Sequence, residues 1–145
     1  MAHCYNPNHS LPGQVDHHDT TLTYRRITSE NTADPSVWGS AFWFSLHNGA
    51  KHYPATPTAS EVIRMKGFIR GLSVILPCGV CKYHADLFVQ QHETQIDDIC
   101  SSKDSLFDFF VDFHNAVNER NGKPKMSYTD ARKLYENTFE VVKLE

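Results

Sequence analysis

The stretch from Leu106 to Val117 constrains the fold of this chain more than any other part of its sequence. Its apolar residues recur at intervals of three and four, and they cover nearly every side of the helix that this spacing predicts. A helix that is apolar most of the way round is buried, or it lies against something large and flat. These apolar residues are Leu106, Phe107, Phe109, Phe110, Val111, Phe113 and Val117. The sequence therefore predicts a helical core built around this segment.

Helical spacing also runs through the rest of the chain from Val37 onward, with cap and stop signals between the segments. The first helix is predicted to start at Asp34-Pro35-Ser36 and to end at Tyr53-Pro54, and the second to start at about Ala59 and to end at Pro77. The third is predicted to run from Cys78 to about Gln91, and the fourth to start at Asp104-Ser105 and to end at Asn121-Gly122. Ser127 caps a short fifth helix. No segment alternates between apolar and polar residues for long enough to predict a sheet. The predicted fold class is all-α, a four-helix bundle with a short fifth helix.

Composition divides the chain into a tail and one domain. Residues 1–36 contain none of the nine Phe and neither Trp, but four of the nine His. A segment with so little to bury is predicted to be a flexible tail. Residues 37–145 are predicted to form a single domain, since 145 residues with 40% hydrophobic content can bury one core.

Charge and hydropathy exclude several classes of function. The net charge is −3 and the signs are mixed, so no basic stripe predicts a nucleic-acid partner. No apolar run reaches the length of about 18 residues that a membrane span needs. Met1 to Ser10 lacks the basic and apolar regions of a secretory signal. Four cysteines are too few for a disulfide-dense secreted scaffold, so we expect an intracellular protein.

The segment Pro77-Cys78-Gly79-Val80-Cys81 carries the chemistry. A Cys-x-x-Cys pair either holds a metal ion or cycles between dithiol and disulfide. Proline is favoured in the first turn of a helix, so Pro77 predicts that both thiols lie at a helix N-terminus. The free N–H groups and the helix dipole there stabilise a thiolate, which is the reactive form of cysteine.

The sequence leaves two interpretations of this pair open: a zinc site, or a redox dithiol in a helical protein. A zinc-binding helical interaction module would use Cys78, Cys81 and His84, with Cys100 or His92 as the fourth ligand. A redox protein of the thioredoxin type is excluded, because its cysteine pair follows a strand and no strand is predicted here. A helical dithiol protein needs another electron acceptor to reach oxygen, and a flavin would supply one.

Six motifs of this chain occur in an order and at a spacing that identify a family. They are Trp38-Gly39, Trp43-Phe44-Ser45-Leu46-His47, Tyr53-Pro54, Leu76-Pro77-Cys78-Gly79-Val80-Cys81, His114-Asn115-Ala116-Val117-Asn118 and Gly122-Lys123-Pro124. Over roughly residues 37–140 the chain resembles the FAD-linked sulfhydryl oxidases of the Erv/ALR family. It looks most like the compact forms that large cytoplasmic DNA viruses encode.

The resemblance implies a helical bundle that holds FAD at its mouth, usually in a homodimer. The residues that it places against FAD are Gly39, Trp43, His47, Tyr53, His114, Asn115, Asn118, Lys123 and Tyr135. Lys123 matches a family lysine near the phosphates and adenosine, and Tyr135 matches an aromatic residue against the adenine. For the homodimer, Phe42, Phe44 and several residues of the second helix are expected to offer spare apolar surface.

The activity that the resemblance implies is the oxidation of dithiols by oxygen to disulfides and hydrogen peroxide. Cys78 would be the sulfur that the substrate attacks, and Cys81 would lie against the flavin and pass electrons to it. The implied partners are molecular oxygen and thiol-containing protein substrates or a redox relay protein. The implied location is the host cytoplasm, with the virion as a second one, where the enzyme would serve disulfide formation in viral proteins.

Helical spacing agrees in part with these implied contacts. Trp43 and His47 are four residues apart and share one face of a helix, as do His114 and Asn118 on another. Polar groups among so much apolar surface need hydrogen-bond partners, which a flavin and its ribose would provide. Taken singly, the tryptophan and the histidines are more typical of a packed core, and Asn118 is more typical of a helix end.

Two cysteines depart from the family pattern. Cellular members carry a second long-range disulfide that clasps the C-terminal segment, and many carry a shuttle Cys-x-x-Cys in a flexible arm. Here the fifth-helix region contains no cysteine that could pair with Cys100, and the tail contains only Cys4. We expect Cys100 to be a buried or half-buried free thiol.

Overall fold

The computed structural model of the chain describes residues 32–136. Within this range the chain is helical and contains no strand, which confirms the predicted all-α class. The elements in chain order are α1 (Pro35–Lys51), α2 (Ala59–Ile75), α3 (Gly79–Gln91), a 3₁₀ turn (Glu93–Gln95), α4 (Ile96–Ile99), α5 (Lys103–Arg120) and α6 (Tyr128–Glu136).

Short-range caps explain why the long helices begin where they do. The Asp34 side chain accepts a hydrogen bond from the Ser36 N–H at 2.8 Å and caps α1. Thr58 and Glu61 form a capping box at the start of α2, where each side chain bonds to the other's backbone N–H. The cap of α5 is Ser102, so this helix begins one residue before the predicted Asp104-Ser105 signal.

The 3₁₀ turn and α4 were not predicted from the sequence. Together they cover seven residues, Glu93 to Ile99, which is too short for helical periodicity to be recognised. They position Ile96 and Ile99, both buried, under the start of α5.

The core lies around α5, as the sequence predicts. Six of its apolar side chains are buried, and α5 packs against α1 on one side. Phe88 of α3 contacts Phe109 and Phe113, with ring centroids 5.4 and 4.9 Å apart. The long helices α1, α2, α3 and α5 form the bundle, and the short α6 packs on α1 and α5.

Some predictions fall outside the part of the chain that the structure describes. The predicted tail at residues 1–36 lies almost wholly outside it, and so does Cys4. Among the described helices, none has the length and apolar character needed to cross a membrane.

Candidate functional site

A cavity of about 620 Å³ opens between α1, α3 and α5. Its volume lies within the range of about 300–1,000 Å³ that is usual for cofactor and ligand sites. Seven of the residues predicted as catalytic or cofactor-binding line it, namely Gly39, Trp43, Cys81, His114, Asn118, Lys123 and Tyr135. The bundle therefore brings side chains from four elements, and from the segment that follows α5, to one site.

A flat aromatic wall forms where α1 crosses α5. The indole of Trp43 stacks on the imidazole of His114, with centroids 4.1 Å apart and planes inclined by 4°. The edge of the same indole meets Phe113 at 5.1 Å. Stacked rings at this separation contribute stabilisation in addition to that from their buried area. Contacts with α5 therefore hold the Trp43 side chain in place.

Behind this wall, His47 and His114 form a hydrogen-bonded pair. The Nε2 atom of His47 lies 3.2 Å from Nδ1 of His114, so the N–H of one ring donates a hydrogen bond to the nitrogen of the other. His47 is buried, and its Nδ1 atom has no hydrogen-bond partner within the described part of the chain. Burial lowers the pKa of His47 to about 4, and the charge of His114 adds to this effect. Burial also lowers the pKa of His114, and the positive charge of Lys123 lowers it further. Both rings are therefore neutral at pH 7.

The cysteine pair adjoins the cavity at the start of α3. Cys78 and Cys81 are joined by a disulfide, with Cα atoms 5.1 Å apart. Cys78 is the N-cap of α3, and its Sγ accepts a hydrogen bond from the Cys81 N–H at 3.2 Å. Cys81 lines the cavity, whereas Cys78 is not among the lining residues. The two sulfur atoms are therefore not equivalent, since one faces the cavity and the other lies outside it.

Pro77 has a different role from the predicted one. It precedes the N-cap and is outside the first turn of α3. Its ring disfavours helical geometry at the preceding residue, and Leu76 accordingly adopts an extended backbone at the end of α2. Pro77 therefore acts by ending α2, and the prediction that both cysteines lie at a helix N-terminus is still confirmed.

The C-terminus of α5 supplies two cations. Gly122 has a φ of +65°, and its N–H donates to the Glu119 carbonyl at 3.1 Å. The N–H of Lys123 donates to the Asn118 carbonyl at 2.8 Å, which completes the glycine-terminated cap known as the Schellman motif. This reversal of the chain places Lys123 at the cavity together with Arg120.

Three predicted cofactor contacts are not among the lining residues: His47, which lies behind the aromatic wall, Tyr53 and Asn115. Tyr53 is buried, and its hydroxyl donates to the Cys100 carbonyl at 3.1 Å. The Asn115 amide pairs with Met126, donating to its carbonyl and accepting from its N–H at 2.9 Å each. These two side chains are satisfied by the chain itself, and they hold the segments next to the site.

Several lining residues were not selected from the sequence as cofactor contacts. Val117 lies three residues after His114 on α5, and Asn121, the C-cap of α5, lies four residues after Val117, so helical spacing from His114 would have found both. Phe42, predicted to offer spare surface, instead lines the cavity and packs edge-on against Trp38 at 5.6 Å.

The geometry does not support the zinc interpretation. Cys78 and Cys81 are bonded to each other, and His92 Nδ1 is 2.8 Å from the Phe88 carbonyl. Cys100 is fully buried. Among residues 32–136, no three side chains of His, Cys, Asp or Glu are grouped as a metal site.

Comparison with known proteins identifies relatives of this chain. Residues 40–139 match the model of the Erv1 / Alr family. A putative FAD-linked sulfhydryl oxidase of Invertebrate iridescent virus 6 is 39% identical over 105 residues, which are 70% of this chain and 95% of that protein. The mitochondrial FAD-linked sulfhydryl oxidase ERV1 of Saccharomyces cerevisiae is 31% identical over 103 residues, covering 71% of this chain and 51% of that protein.

Solved structures agree with these matches. The crystal structure of the yeast Erv1 core superposes with a TM-score of 0.67 at 27% identity, and the match covers 86% of this chain and all of that one. The FAD binding domain of Erv1 from Saccharomyces cerevisiae superposes with a TM-score of 0.65 at 28% identity, over 74% of this chain and 98% of that one. Because the family match spans more than half of its residues, this chain belongs to the Erv1 / Alr family.

Proposed function

We propose that this chain is an FAD-linked sulfhydryl oxidase that makes disulfides in protein substrates and delivers the electrons to oxygen. One observation carries the proposal: a disulfide at a helix N-terminus has one cysteine in the wall of a large aromatic cavity and the other outside it. Substrate and cofactor can then meet the same disulfide from two sides. Curated relatives in viruses and yeast are named as FAD-linked sulfhydryl oxidases, which supports the same activity.

The residues around the cavity fit FAD. The stacked Trp43–His114 wall suits a flat ring system, and Asn118 offers both a donor and an acceptor. Arg120 and Lys123 supply positive charge for a pyrophosphate, and Tyr135 offers a further aromatic surface. We expect Gly39 and His47 to complete this site, while Tyr53 and Asn115 support it from outside. When bound, FAD accepts two electrons and reduces oxygen to hydrogen peroxide.

The protein's own chemistry is thiol–disulfide exchange. A substrate thiolate attacks Cys78 Sγ, the Cys78–Cys81 bond breaks, and Cys81 leaves as a thiolate. A second substrate thiol then attacks the substrate sulfur of the mixed disulfide and releases Cys78. The substrate has lost two electrons and two protons, and the enzyme holds them as a dithiol. Both cysteines lie in the first turn of α3 or at its cap, where the helix dipole stabilises the thiolate that leaves.

Substitution of the two cysteines tests this division of roles. Cys78→Ser and Cys81→Ser should each abolish oxygen consumption with DTT, while retaining FAD. Cys100→Ala is the matched control, because Cys100 is buried and outside the lining residues, and it should keep its activity. A bulky thiol reagent should label Cys78 in the Cys81→Ser variant faster than Cys81 in the Cys78→Ser variant. The opposite order of labelling would exchange the two roles.

The flavin itself is tested by denaturation. We expect the purified protein to be yellow and to release free FAD when unfolded, since the site offers stacking and hydrogen bonds for holding it. Folded protein that takes up no FAD during reconstitution would contradict the oxidase proposal.

A homodimer is part of the same proposal, and the outer face of α2 supports it. This face carries apolar side chains with between 49% and 75% of their surface exposed, namely Ile63, Phe68, Val74 and Ile75. Gly67 and Gly71 lie between them, and a Cβ atom added at either glycine would meet nothing within 4 Å in the same chain. Because the two glycines have no side chains, this exposed apolar face of α2 can pack closely against the same helix of a second copy.

Larger side chains at these two glycines test the dimer. Gly67→Leu with Gly71→Leu is compatible with the fold of one chain, because the space is open and leucine favours helix. We expect light scattering to report a mass near twice 16.6 kDa for the parent protein and near 16.6 kDa for this variant. Gly67→Ala with Gly71→Ala is the graded control and should retain more dimer. A parent protein that is monomeric at micromolar concentration would contradict the proposal.

For the cellular setting, we infer that the substrates are thiol-containing proteins or a redox relay protein in the host cytoplasm, or in the virion. The support is that relatives come from Invertebrate iridescent viruses 6 and 3 and from African swine fever virus. The Cys81→Ser variant would identify them in infected cells: its Cys78 thiolate attacks the disulfide of an oxidised substrate, one substrate sulfur leaves as a thiolate, and the mixed disulfide that forms lacks the Cys81 thiol that would resolve it.

A further inference from the structure

An apolar stripe on α3 begins at the redox disulfide. Val80 lies between the two cysteines and is 67% exposed, and it also lines the cavity; Tyr83 is 62% exposed and Leu87 is 37% exposed, and both lie outside the lining. Their spacing of three and four residues places all three on one side of the helix. We call these three residues the α3 stripe. Within the described residues they pack against no other element closely enough to be buried.

Lys82, which follows Cys81 and is exposed, is the charged residue next to the disulfide in the sequence. No residue from Gly71 to Cys81 has a charged side chain. On the side of α2, the nearest charge is Arg70, which is paired with Glu93. Lys82 is thus the one charged residue adjoining the cysteines in the sequence, and the exposed side chains of the α3 stripe itself carry no charge, so the stripe suits apolar side chains of a substrate better than charged ones.

The geometry of thiol–disulfide exchange indicates which molecule contacts the α3 stripe. A substrate sulfur has to bond to Cys78 Sγ, and Cys78 is the N-cap of α3. The α3 stripe extends over seven residues of helix from Val80, about 10 Å at 1.5 Å per residue. An extended polypeptide covers that distance with about three residues. Residues that flank the substrate cysteine can therefore reach the α3 stripe while the mixed disulfide exists.

We propose that the α3 stripe is the docking surface for the protein substrate, and that this substrate carries apolar or aromatic side chains within about four residues of its reactive cysteine pair. The inference rests on the proposed oxidase function and adds the class of substrate to it. Docking by these side chains lowers the KM for such a polypeptide and leaves the oxidation of small dithiols unchanged.

Two synthetic peptides with the same Cys-Gly-Gly-Cys centre test the proposal on the FAD-loaded protein. One is flanked by Leu and Phe, and the other by Ser and Gln. The variant is Tyr83→Gln with Leu87→Gln, since neither residue lines the cavity and glutamine suits an exposed helix. The control is Leu134→Gln on α6, which is also 62% exposed and outside the lining residues.

We expect the parent protein to prefer the apolar peptide, and the double variant to lose about tenfold in kcat/KM for it, equivalent to ~1.4 kcal/mol. Its activity towards DTT and its FAD content should match those of the parent and of the Leu134→Gln control. Equal rates on the two peptides, or an equal loss with DTT, would overturn the docking surface. A fall in mass by light scattering for the double variant would also overturn it, because the α3 stripe would then belong to an interface between copies. If the parent protein oxidises neither DTT nor peptides, it is the oxidase function that fails.

Discussion

Mild acid should destabilise this protein through His47. The imidazole lies buried behind the Trp43–His114 wall, and burial lowers its pKa from 6.5 to about 4. In the unfolded chain the ring is in water and regains its ordinary pKa. Between pH 6.5 and 4 the unfolded chain therefore binds a proton that the folded protein does not, and the free energy of unfolding falls as the pH decreases through this window.

The magnitude follows from the two pKa values. Their difference, at 1.36 kcal/mol for each pKa unit, amounts to about 3 kcal/mol once the pH is below 4. Between pH 7 and pH 5 the expected loss from this one group is about 2 kcal/mol. A domain of this size has roughly 5–15 kcal/mol of stability in total, so the effect is large enough to measure.

Urea unfolding of the FAD-loaded protein, followed by circular dichroism at pH 7 and pH 5, measures the effect. His47→Gln removes the titrating group, so its stability should fall about 2 kcal/mol less than that of the parent over the same interval. His52→Gln is the control, because His52 is exposed, and it should behave like the parent. If the parent and His47→Gln lose equal stability between pH 7 and pH 5, the account of His47 as a buried neutral ring is wrong.

Two further substitutions and one alkylation experiment test the packing around the site. Phe110→Ala empties a fully buried position on α5 and should cost about 3–5 kcal/mol in urea unfolding at pH 7. Burial raises the pKa of Cys100 to about 11, so this thiol should resist alkylation at pH 8 in the folded protein and react after unfolding. Gly122→Ala forces a side chain into the left-handed region, costing about 1–2 kcal/mol, and should speed FAD loss on dialysis because Lys123 is displaced.

The helices could be predicted because their signals are local. Asp34, Ser127 and the Asn121-Gly122 pair act within a few residues of themselves, and the Phe-rich periodicity of α5 survives in any packing that buries it. The 3₁₀ turn and α4 carry too few residues for a period to appear. Their conformation depends on the buried Ile96 and Ile99, which is a property of the assembled core.

The sequence predicts which site residues share a face of one helix, but it does not predict the contacts between residues of different helices. Helical spacing alone indicates that Trp43 and His47 share a face, but the 4.1 Å stack of Trp43 on His114 arises only when α1 crosses α5. Sequence also cannot show whether a polar side chain has found a partner inside the chain. Tyr53 and Asn115 have such partners, which is why they lie away from the cavity lining.

The hydrogen bond from the Cys81 N–H to Cys78 Sγ has a consequence for repeated turnover. An N-terminal helix turn needs an acceptor for its free N–H groups, and here that acceptor is the sulfur that changes its bonding in every cycle. A disulfide sulfur accepts weakly, and a thiolate accepts strongly. Each arriving electron pair thus strengthens the end of α3, and reoxidation weakens it again without leaving the backbone donor empty. The stability of this end of α3 therefore depends on the redox state of the cysteine pair.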